Sequence, residues 1–252
     1  MRPNGRCSCH GIAIELCRLR RHPYWNPLQL SLSVGPRHEV DLEMILYRPV
    51  GLEELRLVYE SGLAAFPPRR PEQPIFYPVL NAGYAAQIAR DWNARSDVAA
   101  GYVTRFEVDD RFVQRYDIHQ VGAAQHIELW VPAEELAAFN RHIQPPIRVT
   151  GAYFGDGFKG LMPAHFMLAG RDAVEQFVAL DRILSYSAMD FSCEIATNQV
   201  YIFLHYPFWQ QRDFAPEGVS VQRRDHVLAA IAERWKDGLA DRPLPELLAP
   251  AA

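Results

Sequence analysis

The chain is expected to fold as an α+β protein, and three features of the sequence say so. Segments of strict alternation, such as "AGYVTRFEV" and "HIELWVP", read as half-buried strands, because successive strand side chains point to opposite faces. Segments with apolar residues three and four apart, such as "GLEELRLVYESGL" and "RRDHVLAAIAERWKDGL", read as amphipathic helices. The two kinds follow one another without the regular strand–helix alternation of a doubly wound parallel sheet.

Composition admits this class and argues against others. Of 252 residues, 49% are hydrophobic and 22% charged, values typical of globular domains. A net charge of -4 and a pI near 6.1 speak against nucleic-acid binding driven by bulk electrostatics. No apolar run reaches the ~18 residues that a membrane span needs. "GIAIEL" is short, contains Glu15 and precedes the basic "CRLRRH", which is unlike a secretory signal. The expected setting is cytoplasmic, with no membrane partner. Four cysteines are too few and too unevenly placed for a disulfide framework. Cys7, Cys9 and His10 lie together, but a zinc site needs about four ligands and no second pair follows. No metal is expected. Cys193, within "MDFSCEIA", reads as a small buried hydrophobe.

Residues 1–43 hold three of the four cysteines and no sustained period, and read as a poorly ordered leader or extension, with Met44 as the expected natural start. Residues 44–156 read as the first domain. "MILYR" opens it as a short strand, and "GLEELRLVYESGL" is a helix that stops at Gly62. "IFYPVL" reads as a strand that Pro78 confines to an edge. "NAGYAAQIARDWN" is a helix capped by Asn81, with Tyr84, Ile88 and Trp92 on one stripe. "AGYVTRFEV" and "IELWV" are strands, Pro132 with Glu134 and Glu135 starts a further helix, and "IRVTGAYF" closes this half. After the glycine-rich "FGDGFKG", residues 160–242 read as a small α+β domain packed on the first. Two helices there flank two strands, "MDFSCEIA" and "VYIFLHY", joined at Thr197-Asn198. Residues 243–252 read as a frayed tail.

Candidate chemistry centres on "QHIELWVP". Ile127, Leu129 and Val131 alternate as a core face, so His126, Glu128 and Trp130 share the other face. That face is either solvated or lines a cleft. Earlier, "LYRPV" ends a strand with Arg48, and "FYPVL" precedes a helix.

These three blocks, in this order, resemble the ADP-ribosyltransferase-like fold, a split mixed sheet with flanking helices. They are also similar to small bacterial proteins labelled as ADP-ribosylation related. The resemblance covers Met44 to about Phe154. It implies NAD as substrate, Arg48 and Tyr47 on the first strand holding the cofactor, Tyr77 beside the nicotinamide, and Glu128 as the catalytic glutamate with His126 two residues before it. "FYPVL" stands where the family carries Ser-Thr-Ser, and His126 where many arginine-modifying members carry Gln or Glu.

What the resemblance implies is a mono-ADP-ribosyltransferase, a glycosyltransferase, or a NAD glycohydrolase sharing the first half-reaction. A carboxylate near the ribose 2′-hydroxyl would stabilise an oxocarbenium-like transition state, and losing one such group costs ~3 kcal/mol. A guanidinium suits the pyrophosphate as a planar fork. The acceptor, protein or nucleic acid, is unspecified. His119, in the preceding loop, is a further acceptor-side candidate, and Arg69 and Arg70 are either phosphate grips or solvated charges. Two alternatives stay open: an inactive ADP-ribosyltransferase-like binding or interaction protein, and an unrelated α+β protein. The aromatic "FLHYPFWQQRDF" reads as core or as a surface for a protein partner.

Overall fold

The computed structural model describes residues 43–247, which all belong to one compact unit. The leader, apart from Glu43, the Cys7, Cys9 and His10 group, and residues 248–252 of the expected tail lie outside the described residues. In chain order, β1 (Glu43–Gly51) leads through α1 (Leu52–Glu60) and β2 (Ile75–Phe76) to α2 (Ala82–Asp91). There follow β3 (Ala100–Asp109), a one-turn α3 (Asp110–Val113), β4 (Ile118–Gln120), β5 (Ile127–Leu129), β6 (Val131–Pro132), α4 (Leu136–Asn140) and β7 (Ile143–Phe154). The remaining helices are α5 (Ala173–Tyr186), α6 (Ala188–Thr197), α7 (Gln199–Gln211) and α8 (Val221–Gly238).

β3 is the centre of an antiparallel sheet, with β1 on one side and β7 on the other. Its residues Ala100 to Thr104 are buried on both faces, because helices cover both. On one face α2 packs through Tyr84, Ala85 and Ala89 against Val79 and Val103. It rides so close that a Cβ on Gly101 would lie 2.0 Å from the Ala89 carbonyl oxygen, so only glycine fits. On the other face lies the main core, where Phe66, Phe76, Phe106 and Phe139 meet edge to face or, for Phe66 and Phe76, tilted. Each such ring contributes roughly 2–3 kcal/mol by leaving water. The same core runs without a break into the helical half, through Phe203 and Trp209. Tyr102 in β3 donates to the Leu204 carbonyl of α7 at 2.9 Å.

The mixed α+β class holds, and several local expectations are corrected. β1 starts at Glu43, one residue before Met44, and pairs it with Asp109. Residues 160–242 carry helices and no described strand. In α7 every residue from Ile202 to Trp209 is buried. A helix enclosed on all sides has no polar face, so its sequence is a continuous apolar run that period alone cannot separate from a strand. In α6 the apparent alternation of Met189, Phe191, Cys193 and Ile195 is incidental. Phe191, Glu194 and Ile195 face inward, while Cys193 is exposed.

The segment with Pro78 is not an edge, since Val79 bridges Tyr47 on one side and Glu128 on the other. Trp92 is 58% exposed and packs into no core. Residues 243–247 are not frayed: the Glu246 amide donates to the Val149 carbonyl, and Leu244 and Leu247 pack against the main core. Among the described residues, no helix is long and apolar enough to cross a membrane.

Candidate functional site

The Val79 bridges decide which candidate side chains share a face. Tyr47 lies opposite Val79, and Val79 opposite Glu128. On the far side of β5, His119 of β4 lies opposite Glu128. Side chains at paired positions point the same way, so Tyr47, Val79, Glu128 and His119 form one row on the face that α2 covers.

Glu128 is held by two ring donors. Its Oε1 accepts from the Tyr84 hydroxyl at 2.9 Å and its Oε2 from the Trp130 indole at 3.0 Å. Tyr84 reaches it because Asn81 caps α2 by accepting the Tyr84 amide, which fixes the first turn above the strand. Burial, reinforced by the hydrogen bond to Glu128, pushes the Tyr84 phenol up to about 12, so it stays protonated and donates. His126 stacks on Tyr84 with ring centres 4.3 Å apart. The His126 Nδ1 accepts the Ala123 amide at 3.3 Å, which leaves the proton on Nε2, 3.2 Å from Gln87 Oε1. A Cβ on Gly122 would approach Nδ1 to 2.7 Å, so the turn needs glycine to seat the ring. Trp130 stacks on His119 at 4.1 Å and meets Tyr77 edge-on at 5.7 Å. Two rings thus hold the carboxylate and three more, His126, His119 and Tyr77, pack on those two, with Tyr47 beside them in the cluster under α2.

Arg48 is elsewhere. It follows Tyr47 in β1, so the pleat sends it to the opposite face, where Leu46 and Val50 enter the main core. There its Nε donates to Glu54 Oε1 at 2.8 Å and its Nη1 to the Tyr77 carbonyl at 3.2 Å. Its guanidinium lies over the Phe76 ring, 4.6 Å from the centre. Arg69 comes to within 3.9 Å of the same Glu54 oxygen. Burial, and next the charge of Arg48, hold the Arg69 pKa below its usual value. Arg69 is therefore half-buried and engaged, and Arg70 is exposed.

The structure brings together Glu128, His126, Tyr47 and His119, with Tyr77 at the margin through Trp130. It does not bring Arg48 to them, which corrects the expectation that arginine and glutamate converge on one cleft. The sequence does not mark Tyr84, Gln87 and Glu54 as partners. The one signal for Tyr84 was its place three residues after the Asn81 cap, which aims it back over the helix start. Among the described residues, no group of three or more His, Cys, Asp or Glu is disposed to hold a metal ion. No protein-family model matches the chain, and no significant match appears among curated proteins or solved structures.

Proposed function

We propose that the chain is a binding protein on an ADP-ribosyltransferase-like scaffold, taking a ribose-bearing ligand such as NAD against the Glu128 face without breaking its glycosidic bond. The carboxylate keeps lone pairs for a sugar hydroxyl beyond the two it gives to Tyr84 and Trp130. The stacked pairs His119–Trp130 and His126–Tyr84 offer flat surfaces of the kind a base or nicotinamide ring covers. The observation that carries the non-catalytic reading is the position of Arg48. Its guanidinium is engaged with Glu54 and Tyr77 on the other side of the sheet, so it does not clamp a pyrophosphate beside Glu128.

The second reading is the transferase or NAD glycohydrolase. It is favoured by the rigid placement of Glu128 on a strand between two donors, since a fixed carboxylate is what an oxocarbenium-like transition state rewards. In it Glu128 stabilises the charge and His126 orients the acceptor.

Titration with NAD by calorimetry, together with an assay for free nicotinamide, separates the two. Saturable binding that Glu128→Gln weakens, with no nicotinamide released in the presence or absence of cell lysate, is the expected result. Release that Glu128→Gln abolishes would replace this reading by the transferase. Absence of any NAD binding would remove both.

A further inference from the structure

The helical half carries a hollow of its own, apart from the Glu128 face. It is a trough of about 540 Å³ running along α5. Val174, Val178, Arg182 and Tyr186 follow one another at intervals of four along it, and Met167 and Glu217 complete its lining from outside α5. Residues four apart form a continuous ridge on a helix surface, and a second helix lays its own ridge beside it. Its lining holds exposed apolar groups: Met167 is 46% and Tyr186 61% open to solvent. Methionine-rich surfaces adapt to the shape of a partner, and exposed apolar patches of this kind mark interaction sites. The turn Phe166–Leu168 that carries Phe166 and Met167 is also fixed before any partner arrives. The Met167 amide donates to the buried Glu194 carboxylate at 3.0 Å, and Asn198 holds the other carboxylate oxygen at 2.8 Å.

Charge selects the occupant. Of the acidic groups on the trough, Glu217 takes Arg212 at 2.8 Å and Glu175 reaches back to the Asp172 amide at 3.1 Å. The basic groups are less occupied. Arg171 gives only its Nε, to the Met167 carbonyl, and Arg182 makes no hydrogen bond or ion pair among the described residues. A second copy packed symmetrically would bring the same patch, whose carboxylates are already engaged with Arg212 and the Asp172 amide, and so would offer these guanidiniums no free acid.

We propose that this trough docks an amphipathic helix of a partner protein, its apolar stripe laid along Val174, Val178 and Met167 and its flanking carboxylates on Arg171 and Arg182. This mode, a helix in a groove, reads its anchors at the same helical spacing that α5 presents.

The test uses the full chain and two labelled 18-residue helical peptides with the same leucine stripe, one flanked by glutamates and one by lysines, followed by fluorescence anisotropy. The glutamate peptide is expected to saturate on the order of 10 μM and the lysine peptide about tenfold higher. Arg171→Glu with Arg182→Glu should reverse that order. Val178→Asp should weaken both peptides with the melting temperature unchanged. If that variant fails to fold, the exposed Arg182→Glu decides alone. The proposal is overturned if neither peptide saturates, if both bind equally, or if the arginine variants leave the preference intact. It is also overturned if light scattering shows a dimer that Val178→Asp dissolves.

Discussion

The two sides of the central sheet treat their polar residues differently. On the core side, Arg48 is 7% exposed and His205 wholly buried; both ring nitrogens of His205 are taken up by neighbours in the fold, as are Nε and Nη1 of Arg48. On the α2 side, Glu128, His126 and His119 are only half-buried. Their rings stack in pairs that leave edges and lone pairs toward the surface. A sealed polar group specifies the fold, because leaving any partner unmatched there is costly. A half-open one can exchange a water for a ligand. One residue of strand pleat, between Tyr47 and Arg48, separates the two regimes.

The sharpest way to break this contrast is to remove the most deeply sealed group. The His205 Nε2 accepts the Leu161 amide at 2.9 Å, so Nδ1 carries the proton and donates to Gln176 Oε1 at 3.0 Å. Gln176 in turn donates to the Leu161 and Arg171 carbonyls. His205→Ala leaves a cavity and orphans two partners, and should cost about 3–4 kcal/mol in urea unfolding. A loss below about 1 kcal/mol would show that the network is not sealed. Arg48→Met comes next. It keeps most of the volume but strips Glu54 and the Tyr77 carbonyl of their donor and removes the contact over Phe76, for about 2–3 kcal/mol. The expectation for NAD binding is the opposite: Arg48→Met should leave it unchanged, and a weakened affinity in the folded variant would return Arg48 to the ligand site.

A pH scan tests the same sealing without a large truncation. Burial pushes His205 down from 6.5 to about 3. Between those values the unfolded chain binds a proton that the folded chain refuses, so stability rises with pH through that window and is lost as pH falls below 6.5. One such group gives a slope of about 1.4 kcal/mol per pH unit, or about 2 kcal/mol from pH 6.5 to 5. The slope should be flatter in His205→Gln. Equal slopes in the two proteins would show that His205 accepts a proton in the folded state.

How much of this was legible in the sequence depends on which side of a pattern faces water. β1, α1, α2 and β7 could be read because each has one wet face, and β3 through its second half, where Arg105, Glu107 and Asp109 alternate with buried residues, so period or cap shows: Asn81 before α2 and Gly62 after α1 are examples. α7 could not, since burial all round erases the period. Met189 read as a strand residue and lies exposed on α6 instead. The α2-side grouping of His126, Glu128 and Trp130 followed from alternation within one strand. Placing Arg48 needed more. Its face depends on the register between β1 and Val79, a pairing across about 30 residues that no local pattern encodes.

The smallest predicted effect tests the half-open side directly. Tyr84 stands near 12 for two reasons, burial first and then the hydrogen bond and charge of Glu128. Glu128→Gln removes the charge and leaves the burial. The amide oxygen can still accept the Tyr84 hydroxyl, while the half-exposed Trp130 indole exchanges its acceptor for water, so the cost in stability should be about 1 kcal/mol. The phenol midpoint should fall from about 12 toward its ordinary value of 10.0 without reaching it. Carbon-13 NMR of ring-labelled tyrosine reads this midpoint, with Tyr84→Phe assigning the resonance. Should the midpoint stay where it was, Tyr84 would not be the donor that holds Glu128. The carboxylate would then be free to turn, and the fixed geometry on which both readings of the site rely would be lost.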